Sequence, residues 1–201
     1  DANFKWDDAY GIGFNIGIYK KFGDHFALGA NYKTPQWTQA NTKYHDLAPE
    51  KIEYPQTARI GIAWIPLRDE AKDAPKLTFT LDYDFQNWSA VSPFGDRVLK
   101  SGLGWSDIHA LKAGVEWNAN EKVTLMAGVS FSKPVVSNDH TFTNAFIPSL
   151  IEQHYTAGIT WHVNENNDLH LVYLRSAEKT RRQTGTSDWL DVVGGYNSEL
   201  T

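Results

Sequence analysis

The chain has 201 residues, no cysteine and a formal net charge of −5, with charges of both signs spread along it. Lack of cysteine excludes a disulfide framework or a thiolate zinc site, and the mixed charge excludes the basic face of a nucleic-acid binder. No run of about 18 apolar residues marks a transmembrane helix, and the first eight residues lack the parts of a signal peptide. Eight Trp, nine Tyr and ten Phe are the informative excess. Mean hydropathy is −0.46, a value that misleads for a membrane barrel, where only every second strand residue meets lipid.

In chain order, eight segments alternate apolar and polar residues with a period of two, the mark of strands with one apolar face. The first, Ala9 to Tyr19, sets Tyr10, Ile12, Phe14, Ile16 and Ile18 against Gly11, Gly13, Asn15 and Gly17. The second, Phe26 to Trp37, sets Phe26, Leu28, Ala30 and Tyr32 against Gly29, Asn31 and Lys33. The third, Thr57 to Ile65, opposes Ala58, Ile60, Ile62 and Trp64 to Arg59 and Gly61. The fourth is the clearest: Leu77, Phe79, Leu81, Tyr83 and Phe85 alternate with Thr78, Thr80, Asp82, Asp84 and Gln86. Ile108 to Trp117, Val123 to Ser132 and His154 to Val163 follow the same rule. In the eighth, Leu169 to Ser176, the two faces are less distinct. No segment reads as a helix.

The connections alternate as well. Short ones hold residues 20–25, 118–122 and 164–168, with 66–76 somewhat longer; long ones run over 38–56, 89–107 and 133–153. Short turns at one end and long loops at the other fit an outer-membrane barrel. Alternation alone also fits a soluble lipocalin-like lipid-binding barrel, in which the apolar face points inward. Two features favour the membrane. The polar faces are rich in Gly, Thr, Ser and Asn, which suits a wet lumen. The tryptophans also fall at strand ends: Trp64, Trp117 and Trp161 at short turns, Trp37, Trp88 and Trp105 at long loops. Such rings belong at headgroup depth, so these six are the expected interface aromatics.

Six stretches in order carry a family resemblance: FGDHFALGANYKTP (22–35), YPQTARIGIAW (54–64), LTFTLDYDFQNWSAV (77–91), GWSDIHALKAGVEW (104–117), VTLMAGVSFSKPVV (123–136) and FIPSLIEQHYTAGITW (146–161). The chain resembles the FadL/TodX family of outer-membrane transporters for long-chain fatty acids and other hydrophobic compounds. The resemblance implies an all-β, antiparallel transmembrane β-barrel of fourteen strands with an N-terminal hatch in its lumen. With eight strands visible, residues 1–201 read as a single β-barrel segment without hatch or terminal strand. The implied partners are hydrophobic small molecules such as fatty acids, with outer-membrane lipid and lipopolysaccharide around a monomer. The implied localisation is the bacterial outer membrane.

Motifs for chemistry are few. The seven histidines lack paired-ligand spacing, GIGFNIG (11–17) is not a nucleotide loop, and GVSFS (128–132) is not a nucleophile elbow. Neither enzyme activity nor a metal or cofactor is expected. Asn87-Trp88-Ser89 matches a glycosylation acceptor, but Trp88 as an interface residue accounts for it better. Lys33, Arg59, Asp82, Asp84, Lys112 and Glu116 share the polar faces. They read first as compensated pairs in a wet lumen. The sharper expectation is that Arg59 or Lys112 holds a ligand carboxylate. The long loops carry apolar residues that water-facing loops should lack: Val91, Phe94 and Leu99 in one, Phe142, Phe146, Ile147 and Leu150 in another. They form either a hydrophobic capture surface or the packed interior of a loop cap. A general polar porin is a third reading, against which the apolar loops speak.

Overall fold

A computed structural model of the chain describes residues 8–40, 51–96, 102–145, 147, 149, 151–182 and 199–200. Eight antiparallel strands form one meandering sheet. They are β2 (Asn15–Phe22), β3 (Phe26–Lys33), β5 (Thr57–Asp69), β6 (Ala74–Gln86), β7 (Ile108–Asn120), β8 (Val123–Ser132), β9 (Gln153–Asn164) and β10 (Asn167–Ser176). Each pairs with the next in that order, so the sheet runs from β2 at one edge to β10 at the other. No pairing joins those two edges among the described residues. Short two-stranded pairs join β1 (Gly11–Ile12) to β4 (Trp37–Thr38) and β11 (Arg181–Arg182) to β12 (Glu199–Leu200). Two single turns of 3-10 helix, Trp88–Ala90 and Asn138–His140, are the helical content of the described residues.

The strands extend past the alternating segments at the short-turn end. β5 and β6 continue to Asp69 and back to Ala74, and β7 to Asn120. Backbone ladders persist where the chain leaves lipid for water, whereas the apolar alternation marks only the part that lipid touches. The first segment differs more. It was expected to be continuous from Ala9, but it is split: Gly11–Ile12 pair with Trp37–Thr38, and β2 begins only at Asn15. The break falls at Pro35 on the facing strand, where the register shifts by one residue: Thr34 N still donates towards β2, but Gln36 N turns away to Tyr54 O, and proline is at home in such bulges. Thr34 bridges the gap, its N–H donating to Phe14 O at 2.9 Å and its Oγ1 accepting from Phe14 N at 2.9 Å.

The two faces of the sheet differ in burial, and this decides which way the apolar face points. Every buried residue of the eight-stranded sheet, namely Ala27, Asp84, Ala110, Thr124 and Thr160, lies on the small and polar face. The apolar face is bare: Ile60, Leu81, Leu111 and Leu171 are 57%, 47%, 50% and 70% exposed. In a lipocalin-like barrel the apolar residues line the cavity and the polar ones meet water, the reverse of what is seen here. A bare apolar sheet face of this kind needs lipid against it.

Aromatic rings edge that face at both ends. At the short-turn end are Phe22, Phe26, Trp64, Phe79, Trp117 and Trp161, with Phe26, Trp64 and Phe79 in one register row and Trp64 stacked on Phe79 at 5.6 Å. At the long-loop end are Tyr32, Tyr83, Phe131 and Tyr155. Their hydroxyls reach polar groups beyond the band: Tyr32 donates to Gln56 at 2.8 Å, Tyr155 to Gln153 at 3.3 Å, and Tyr83 lies 2.7 Å from His109 Nδ1. Six residues separate Phe26 from Tyr32, or Trp161 from Tyr155, which is about 20 Å along a strand. Rings of that spacing match the girdles of a membrane barrel.

Candidate functional site

Three regions gather the polar and loop-borne side chains: the inner wall, the loop cap above it and the rim at the short turns. On the inner wall, strand register brings three sequence-distant charges together. Arg59 on β5 opposes Asp84 on β6, and Lys112 on β7 reaches the same carboxylate. Arg59 Nη2 and Lys112 Nζ donate to one oxygen, Asp84 Oδ2, at 2.8 and 2.9 Å. Asp84 is 1% exposed, whereas the two cation side chains are 56% and 40% exposed. Both expected carboxylate binders are therefore already paired, yet each keeps a face to the lumen.

Beside this triplet lies a groove of about 450 Å³. Gly17, Gly29 and Gly61 on neighbouring strands leave it empty, and Tyr19, Ala27, Ala63, Thr80, Arg59 and Asp82 are among its other lining residues. Gly29 and Gly61 are register partners, and Gly61 opposes Asp82. A Cβ at Gly61 would stand 2.1 Å from Asp82 Oδ1, so the glycine is what lets Asp82 lie across the sheet. Arg59 lines the groove and Lys112 does not. The glycines were visible in the sequence as part of the polar faces. Their convergence was not, because it needs the register.

The loop cap corrects two expected interface aromatics. Trp88 and Trp105 do not join the lipid girdle. They pack with Phe94, Leu103, Val135 and Val136 in a small core between loops 87–107 and 133–152. The rings of Trp88, Phe94 and Trp105 lie 4.8 to 5.1 Å apart. The physical reason is that both indoles sit past the strand ends, where a second loop offers a drier site than the headgroups. Trp88 Nε1 donates to Gln86 Oε1 at 2.9 Å, and Trp105 Nε1 to buried Asn144 Oδ1 at 2.7 Å. Asn144 Nδ2 donates to the Leu103 and His140 carbonyls, each at 2.9 Å. One amide thus ties the two loops. Gly104, at φ +64°, faces the His140 ring so closely that a Cβ would sit 2.4 Å from it.

Of the expected capture residues, Val91 is 5% exposed and Phe94 belongs to the cap core, so both are packed away. Phe142 and Ile147 remain exposed on the second loop, together with Ile151. Leu99, Phe146 and Leu150 lie outside the described residues. Trp64, Trp117 and Trp161 are exposed on the apolar face at its short-turn end, and Trp37 is exposed in the short pair with β1. Asn87-Trp88-Ser89 is explained by hydrogen bonding: Asp107 Oδ1 accepts from Asn87 Nδ2 and from Ser89 N, each at 3.0 Å. Burial opposes the charge on Asp107, but the bonds from Ser89 and Asn87 outweigh it and hold the carboxyl below its ordinary value.

At the short-turn rim His162 Nδ1 lies 2.8 Å from Asp168 Oδ1, and its Nε2 lies 3.2 Å from Thr124 Oγ1. The order hydroxyl, imidazole, carboxylate is that of a hydrolase. Here Thr124 is buried and donates its proton to Asn118 Oδ1 at 2.5 Å, which points it away from the imidazole. His170 does not meet His162; its Nδ1 lies 2.8 Å from Thr160 Oγ1.

A sheet bare and apolar outside, polar and glycine-rich inside, girdled by aromatics and capped by long loops defines part of an outer-membrane β-barrel. The model of the outer membrane protein transport protein family (OMPP1/FadL/TodX) matches residues 3–201, and the chain belongs to that family. Outer membrane protein P1 of Haemophilus influenzae is 21% identical over 212 residues, which cover 95% of this chain and 45% of that protein. The fold is similar to that of the Pseudomonas putida toluene transporter TodX, with a TM-score of 0.58 at 16% identity over 83% of this chain and 44% of the other. A deltaS2S3 mutant of TodX, a monoaromatic hydrocarbon channel, gives 0.62 at 17% identity over 88% and 46%. The chain spans less than half the length of these relatives.

Proposed function

We propose that the protein to which this sheet belongs passes hydrophobic small molecules passively across the outer membrane, long-chain fatty acids among them. The observation that carries this reading is the inner-wall groove with Arg59 at its border. Small residues leave a lane for an acyl chain, and a half-exposed guanidinium stands ready for a carboxylate. Asp84 has a role in this reading. It keeps the two cations in place and competes for them, so a ligand carboxylate binds weakly enough to leave. Phe142 and Ile147 on the outer loop are the first apolar contact for an arriving molecule. The cargo is moved unchanged, and the barrel is taken to act as a monomer.

The test is binding of a long-chain fatty acid to the full-length protein carrying Arg59→Gln, Lys112→Gln or both. A charge-assisted bond contributes roughly 1.5–3 kcal/mol, so the double variant should bind at least about tenfold more weakly. Arg59→Gln should carry most of the loss, since Arg59 alone borders the groove. Unchanged affinity in the double variant sinks the carboxylate role. A second reading, neutral aromatic hydrocarbons as cargo, is favoured by the solved neighbours, which are toluene and monoaromatic hydrocarbon channels. It predicts toluene uptake that is indifferent to both substitutions.

A further inference from the structure

The outward face of β8–β10, just beyond the long-loop girdle, carries a feature that passage through the lumen does not use. Tyr173 opposes Ala157, and Arg175 opposes Tyr155. The small Ala157 between the two tyrosines leaves a groove of about 510 Å³, which Arg175, Ala177 and Glu178 border at its upper end. On β8, Lys133 N donates to His109 O at 3.0 Å, which continues the β7–β8 ladder by one step. Lys133 therefore falls two residues past Phe131 on the same outward face, and it is exposed. Phe131 and Tyr155 meet edge to face at 6.4 Å. Arg175 and Lys133 thus bracket an aromatic pair at the level where lipid headgroups begin. Further along the chain from Arg175, the cations Lys179 and Arg181 are both taken up by Glu152.

We propose that this face binds one phosphorylated glycolipid of the outer leaflet, its phosphate between Arg175 and Lys133 and an acyl chain in the groove over Ala157. The inference rests on the reading of the long loops as the outer end of the barrel. Charge and shape argue for this occupant together. Two cations on long stems can lift their heads to headgroup height while the stems stay in lipid. The apolar floor continues into the acyl region, which a free phosphate would not need. Among the described residues, Glu178 is the one carboxylate bordering the groove, and it opposes the phosphate.

The experiment uses the full-length protein in detergent, with lipid A as the probe and phosphatidylglycerol as the comparison, scored by native mass spectrometry across a lipid titration. Each cation near a lipid surface contributes about fivefold in affinity. Arg175→Gln and Lys133→Gln should each weaken lipid A binding about fivefold, and together roughly thirtyfold. Ala157→Phe fills the groove with both charges intact and should also weaken it, whereas Glu178→Gln should tighten it. Fatty-acid uptake is measured on the same variants and should stay unchanged. Intact uptake with lost lipid binding therefore separates this site from the transport reading. The proposal is overturned if the double variant binds lipid A as tightly as wild type, or if phosphatidylglycerol binds equally well, since surface charge alone would then suffice.

Discussion

Asn144→Ala is the sharpest test of the loop cap as one mechanical unit. Asn144 is fully buried and makes three bonds: it accepts from Trp105 Nε1 and donates to the carbonyls of Leu103 and His140. Truncation leaves the indole N–H without an acceptor, which costs about 1–3 kcal/mol for a buried donor. The two carbonyl bonds are each worth about 1 kcal/mol. The sum is roughly 3–5 kcal/mol against the closed cap. At the lower figure, local opening becomes on the order of a hundredfold more frequent. Amide hydrogen exchange of the full-length protein reads this directly. The reporters are Trp105 N, bonded to Phe94 O at 2.8 Å, and Ser106 N, bonded to Val135 O at 2.7 Å. Both should exchange faster by about that factor, while amides of the β7–β8 ladder keep their protection. The reasoning fails if the loop amides exchange at the wild-type rate. It fails equally if the strand amides accelerate with them, for then Asn144 supports the whole sheet and not the cap.

Two further outcomes follow from the faces and the cap. Leu81→Arg puts a charge midway between the girdles on the lipid face and should cost about 2–4 kcal/mol. Thr78→Arg, opposite Glu116 on the inner wall, should cost little; urea unfolding in lipid vesicles compares them, and equal midpoints would contradict the assignment of faces. Acid should loosen the cap through Asp107. Its carboxyl is held below the ordinary value in the folded state, so its stabilisation is present above the usual aspartate range, near ~3.9, and is lost as pH falls through the lower folded value. Faster exchange at Ser89 N below that range, abolished in Asp107→Asn, is the expected result; exchange indifferent to Asp107 would remove it as the cause.

Much of the sheet was legible because the pleat has a period of two. β8 was read as Val123 to Ser132 and runs over those residues. Most other strands differ at ends where the ladder continues beyond the lipid band, whereas the second segment, expected to reach Trp37, stops at Lys33 just before Pro35. The split before Asn15 is hidden in the sequence because Tyr10, Ile12 and Phe14 keep the alternation across a register shift that falls at Pro35, on another strand. Trp88 and Trp105 were misplaced for a related reason. A tryptophan near a strand end looks the same in sequence whether its ring meets headgroups or a second loop, and only the packing of two distant loops selects the second.

By itself, then, the sequence determined the strands, the order of their apolar and polar faces, and the family, since all three are written in neighbouring residues and ordered motifs. Tertiary structure alone decided which face is bare, because alternation is symmetric to inversion of the sheet. It also decided that Arg59 and Lys112 share Asp84 and that Gly17, Gly29 and Gly61 open one groove. Those residues lie on different strands, and only the register of the ladders brings them side by side.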